Sequence, residues 1–126
     1  MQLNILSTDM SPDHMQGLKT LSKEFYDRIL LQAKDQYLNK GFERVVAKWF
    51  KEGFDHQFGP AWHCIAGPEF AAFVTHEAKS LAYFNLQYSP PPKKASHTQG
   101  QQEDEFEKKK EAQPIAFWRI LLFKAG

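Results

Sequence analysis

Trp62-His63-Cys64-Ile65-Ala66-Gly67-Pro68-Glu69-Phe70-Ala71-Ala72-Phe73-Val74-Thr75 is the stretch on which the fold turns. Its first five residues and its last six read as two strands, rich in aromatic and β-branched side chains, with Gly67-Pro68-Glu69 as a tight turn between them. Downstream, Leu81-Ala82-Tyr83-Phe84-Asn85-Leu86 reads as a further strand, and Ile115 to Lys124 as another dense in large apolar residues. Upstream, the periodicity changes from two to between three and four. Phe42, Val45, Val46, Trp49, Phe50 and Phe54 mark one face of a helix from Phe42 to about Phe58, closed by Gly59-Pro60.

An earlier helix is expected to start at Ser11-Pro12-Asp13. Serine caps free N–H groups, proline suits the first helical position, and aspartate favours the positive end of the dipole. Met15, Leu18, Leu21, Phe25, Ile29, Ala33 and Tyr37 form its apolar stripe, so the spacing predicts one long helix that stops at Gly41. Leu3, Ile5 and Leu6 suggest a short strand before it. Helices followed by a run of strands make the fold class α+β, with two N-terminal helices packed on an antiparallel sheet.

The 126 residues suit one domain, 1–126, with a single core. Sixteen basic residues balance fifteen acidic ones, which argues against a nucleic-acid partner, since phosphate contacts need clustered positive charge. No apolar run approaches the ~20 residues that cross a bilayer, so no membrane role is expected. Met1 to Leu6 lacks the basic flank and apolar stretch of a signal peptide, and one cysteine cannot form an internal disulfide. A soluble intracellular domain is the expectation. An inserted polar loop is expected at about 87–114, where Pro90-Pro91-Pro92 favours polyproline II and Gln101–Glu111 is mostly charged, reading as a mobile loop or marginal helix.

Two enzymatic readings fail on spacing. His63 and Cys64 are neighbours on a strand, so their side chains diverge and do not form a nucleophile–base pair. His76-Glu77-Ala78-Lys79-Ser80 begins like a zinc-protease helix, but Ser80 stands where a second histidine must coordinate. No catalytic residue, metal or cofactor is therefore expected.

Trp62-His63-Cys64-Ile65-Ala66-Gly67, Phe70 and Phe73-Val74-Thr75-His76-Glu77 resemble the core signature of the small, eight-kilodalton-type dynein light chains. Ile120-Leu121-Leu122-Phe123-Lys124-Ala125-Gly126 resembles that family's last strand, and Asp9-Met10-Ser11 its approach to the first helix. The resemblance covers the chain apart from about three additional turns in the first helix and the loop at 87–114. It implies a non-catalytic, strand-exchanged dimer in which Phe70–Thr75 crosses to the partner's sheet. The free edge of that strand would then take an extended peptide by strand addition.

Position by position, the resemblance implies a groove of Phe70, Ala71, Ala72, Phe73, Thr75 and His76, with Tyr83 and Leu121 as floor. Glu43 and Arg44 of the partner's second helix would receive the ligand's glutamine. The implied dimer interface is Trp62, His63, Phe70, Phe73 and Val74. Implied partners are a dynein intermediate chain and another dynein light chain, as homodimer or heterodimer. The lengthened helix and the insert suggest a specialised member, such as one in ciliary outer-arm dynein; a general dimerisation hub is the alternative.

Departures from the family pattern bear on ligand choice. Ala71-Ala72 replaces a usual glycine-serine pair, Asn85 a usual tyrosine, and Ala125 a serine that is phosphorylated in some members. Arg119 stands where the family has a small apolar residue, so it either narrows the groove or recruits an acidic ligand residue. Ser96-His97-Thr98-Gln99-Gly100 partly resembles the threonine-glutamine core of family ligands, which raises the expectation that the insert enters a groove.

Overall fold

Alternation along Leu81–Tyr88 builds the centre of the molecule. In the computed structural model, which describes residues 1–89 and 116–126, this segment is strand β3, with Ala82, Phe84, Leu86 and Tyr88 buried and the intervening residues half-buried. Around it lie β1 (Gln2–Thr8), helix α1 (Pro12–Phe25), helix α2 (Phe42–Phe58), β2 (Trp62–Gly67) and β4 (Ala116–Lys124). The strands form one antiparallel sheet in the order β1-β3-β4-β2. The α+β arrangement is as expected. β1 and β2 are the outer strands, and the helices cover one face of the sheet.

Helix α2 supplies that cover. Phe42, Val46, Phe50 and Phe54, at four-residue steps, are all buried, while Val45, expected on the same stripe, is exposed. Phe50 meets Phe84 of β3 with ring centroids 5.4 Å apart, and Phe25 of α1 at 6.2 Å. The Trp49 indole donates to the Leu21 carbonyl at 2.9 Å, tying α2 to α1. Gly53 faces the same seam. A Cβ there would come within 2.7 Å of the Leu21 side chain. Replacing Gly53 by alanine is thus expected to destabilise the fold by about 1–3 kcal/mol in urea titrations despite alanine's better helix propensity, because the helices would have to part.

The first helix corrects one expectation. Ser11 caps it as anticipated, its Oγ accepting from the His14 N–H at 3.3 Å. But α1 ends at Phe25, Tyr26–Leu30 winds as a π-helix, and the chain reaches Gly41 through a 3-10 turn at Gln36–Leu38. Packing explains the change. Phe25 and Leu30 are both buried, and residues five apart share a face only when an i→i+5 turn is inserted. Beyond it Lys34 takes a positive φ of 57°, and the chain folds back so that Tyr37 packs on Tyr88 at 5.1 Å. Gly41, with φ of 95°, opens α2 rather than closing α1.

Phe70–Thr75 requires a second correction. The segment forms no strand ladder with any other described residue. Its residues have strand propensity, but β3 and β4 already have neighbours on both sides, and among the described strands only the outer edges of β1 and β2 stay open. Propensity without a partner leaves an unpaired segment. The insert readings, including the Pro90–Pro92 segment, Ser96–Gly100 and Gln101–Glu111, lie outside the described residues.

Candidate functional site

The side chains that do not face the helices point to the opposite face of the sheet. On β3 these are Leu81, Tyr83, Asn85 and Gln87. Their neighbours on β4 follow from the register, with Phe123 opposite Leu81, Leu121 opposite Tyr83 and Arg119 opposite Asn85. On β2, His63 and Ile65 are exposed on this face, opposite Phe123 and Leu121.

Phe70, Ala71 and Ala72 lie beside it and enclose a cleft of about 410 Å³ together with Ser7, Leu81, Tyr83 and Leu121. Five residues assigned to a groove from the sequence thus meet in one place: Phe70, Ala71, Ala72, Tyr83 and Leu121. The Phe70 ring stands edge-on to Tyr83, with centroids 6.1 Å apart. Ser7 and Leu81 were not foreseen. Leu81 is two residues from Tyr83 and so shares its face, a signal present in the strand alternation. Ser7 arrives only through β1–β3 pairing, where it sits opposite Tyr83 after an irregularity between Ile5 and Ser7.

The remaining assigned residues separate. Phe73 and Thr75 project outward along the same segment, and Phe73 is 102% exposed. His76 is half-buried, with Nδ1 2.8 Å from the Glu77 carbonyl. Glu43 and Arg44 sit on the first turn of α2, away from the cleft lining, where the Glu43 carboxylate accepts from the Gly41 N–H at 3.2 Å. Val74 is half-buried and His63 exposed, its ring 5.4 Å from Phe123. Trp62, assigned to the dimer interface, faces inward in the single protomer. It is fully buried between Phe54 at 4.8 Å and His14 at 5.4 Å, because the even positions of β2 face the helices.

The unpaired segment is moored at its C-terminal end. The Glu77 N–H donates to the Lys124 carbonyl at 2.9 Å, and the Asp9 carboxylate accepts from the Lys79 and Leu81 N–H groups, each at 3.0 Å. Lys79 holds φ of 58°, in the left-handed region. Partial burial of Asp9 pushes its pKa up, but the Leu81 and Lys79 amides and nearby His76 outweigh this and hold the carboxyl below its ordinary value. A depressed folded-state pKa contributes stability that is present above the ordinary aspartate range, near pH 4, and lost as pH falls through the lower folded value. Asp9→Ala is expected to lower stability by about 1 kcal/mol at neutral pH, with the difference from wild type shrinking in acid melts below about pH 4.

Chemistry is poorly served here. Burial pushes the Cys64 thiol well above its usual range, which removes the thiolate needed for nucleophilic attack at neutral pH. Among the described residues no three His, Cys, Asp or Glu side chains are grouped to hold a metal. In that same set no helix is long and apolar enough to cross a membrane.

Two comparisons with known proteins bear on this geometry. Residues 2–89 match the family described as dynein light chain type 1. The chain is also similar to the protein named "Dynein light chain, cytoplasmic" from Emericella nidulans, at 35% identity over 82 residues, which covers 65% of this chain and 76% of that relative.

Proposed function

This chain belongs to the dynein light chain family, a family of non-catalytic, dynein-associated proteins, and from that membership we propose that it works as a strand-exchanged dimer holding extended peptides. Phe70–Thr75 of each protomer adds to the open edge of the partner's β2, and the far edge of the added strand receives the guest. The observation that carries this reading is the pairing of two unmet needs. Among the described residues, a six-residue segment lacks a ladder, while the six-residue strand Trp62–Gly67 has one open edge. Exchange between copies satisfies both sets of backbone groups and covers Phe73.

The guest on this reading is the N-terminal region of a dynein intermediate chain, docked by main-chain hydrogen bonds with Glu43 and Arg44 contributed by the partner. Two grooves hold two guest chains, and the first capture raises the effective concentration for the second. The cytoplasmic relative supports work on the cytoplasmic cytoskeleton. The added segment between α1 and α2 supports a specialised motor such as ciliary outer-arm dynein.

Affinity purification of the full-length protein from native cells tests the assignment. Recovery of intermediate chains with their heavy chains is the expected result, and the heavy-chain type separates cytoplasmic from axonemal motors. Recovery of varied clients without dynein subunits would favour the general hub instead.

A further inference from the structure

We propose that Arg119 makes the groove selective for an extended peptide bearing an aspartate or glutamate side chain beside the residue that fills the cleft. This rests on the strand-addition reading and specifies its guest. Arg119 and Asn85 are opposite each other on β4 and β3, two residues along from the Leu121–Tyr83 pair of the cleft floor. They therefore share the cleft's face at a distance of about 7 Å, the step between alternate residues of an extended peptide.

The arginine is half-buried and held in place. Its Nε donates to Asn85 Oδ1 at 3.4 Å, and its guanidinium carbon lies 5.5 Å from the centre of the Phe117 ring. These contacts use one N–H and one face of the planar group, leaving donors for a carboxylate. Among the described residues Arg119 takes part in no ion pair, and it is the one Arg, Lys, Asp or Glu on a sheet face otherwise built of Phe117, Leu121, Phe123, Leu81, Tyr83 and Ile65 with Asn85, Gln87 and His63. A guest that covers this face desolvates the guanidinium. A neutral guest residue leaves that charge unpaired, whereas a carboxylate forms a charge-assisted hydrogen bond in a water-poor site.

An immobilised array of short peptides tests this. Each carries a threonine-glutamine core, with every flanking position presented as Glu, Gln or Lys, and each is probed with the full-length wild type and with Arg119→Gln and Arg119→Lys. At one flanking position the wild type is expected to favour Glu over Gln by about tenfold or more, as for a hydrogen bond to a charged group. Arg119→Lys retains part of that preference and Arg119→Gln loses it. Equal binding of Glu and Gln peptides by the wild type would overturn the proposal, as would a Glu preference that survives in Arg119→Gln. If the wild type retains no peptide at all, the strand-addition reading itself fails.

Discussion

Replacing Phe73 by glutamate is expected to turn the dimer into a folded monomer. Phe73 is 102% exposed in the single protomer, so a charge there removes no internal contact and leaves the core intact. Its apolar surface matters only once a partner covers it. Burying one phenylalanine side chain is worth about 1.5–3 kcal/mol, and a two-fold dimer buries two copies. Losing both weakens association by roughly two to four orders of magnitude, before the desolvation of the introduced carboxylates is added. Sedimentation equilibrium should show the wild type at twice the 14.6 kDa chain mass at micromolar concentration and the variant at one chain mass. Circular dichroism should show the same helix and strand content in both. An unchanged dimer would mean that this segment is not what holds two copies together.

Replacing Phe50 by alanine is expected to have the opposite signature, with a large loss of fold stability. Phe50 is fully buried and lies between Phe84 of the sheet and Phe25 of α1, at the point where both helices meet β3. Removing a buried phenylalanine side chain leaves a cavity and costs about 3–5 kcal/mol. Small domains are stable by only about 5–15 kcal/mol, so the variant should lose roughly a fifth or more of its stability. Urea titration, run at several protein concentrations to separate folding from association, measures the loss. A shift below about 1 kcal/mol would show that the helix–sheet seam is not packed as described.

Periodicity revealed those parts of the molecule where a single face meets the core. β3 alternates visibly, β4 is a largely apolar run, α2 carries phenylalanines at four-residue steps, and Ser11-Pro12 marks a helix start by local chemistry alone. The π-helix at Tyr26–Leu30 was hidden because a stripe of Phe25, Ile29, Ala33 and Tyr37 also fits an uninterrupted α-helix. Only the burial of Leu30, a tertiary fact, separates the two. Phe70–Thr75 shows the converse limit. Its strand propensity is plain, but whether a ladder forms depends on which edge it meets, and it pairs with none of the described strands. The same reason took Trp62 inward, since which parity of β2 faces the helices follows from assembly of the whole sheet.

The candidate site was partly legible for a related cause. Tyr83 and Leu121 were identified through resemblance, and Leu81 was recoverable from strand alternation. Ser7 depends on its pairing with Tyr83, far away in the sequence, with an irregularity that shifts the register, so no local pattern announces it. Asp9 was visible as part of a motif before α1. Its hold on Lys79 and Leu81, which follow the Phe70–Thr75 segment, needed the three-dimensional arrangement.

A mixed dimer of isotope-labelled and unlabelled chains, read by filtered nuclear Overhauser spectroscopy, tests the exchange most directly. Cross-peaks between protons of Phe70–Thr75 on one chain and Trp62–Gly67 on the other are expected in the labelled–unlabelled sample. Their absence, with Phe70–Thr75 contacting only its own chain, would contradict the exchanged strand and with it the slot that holds the guest.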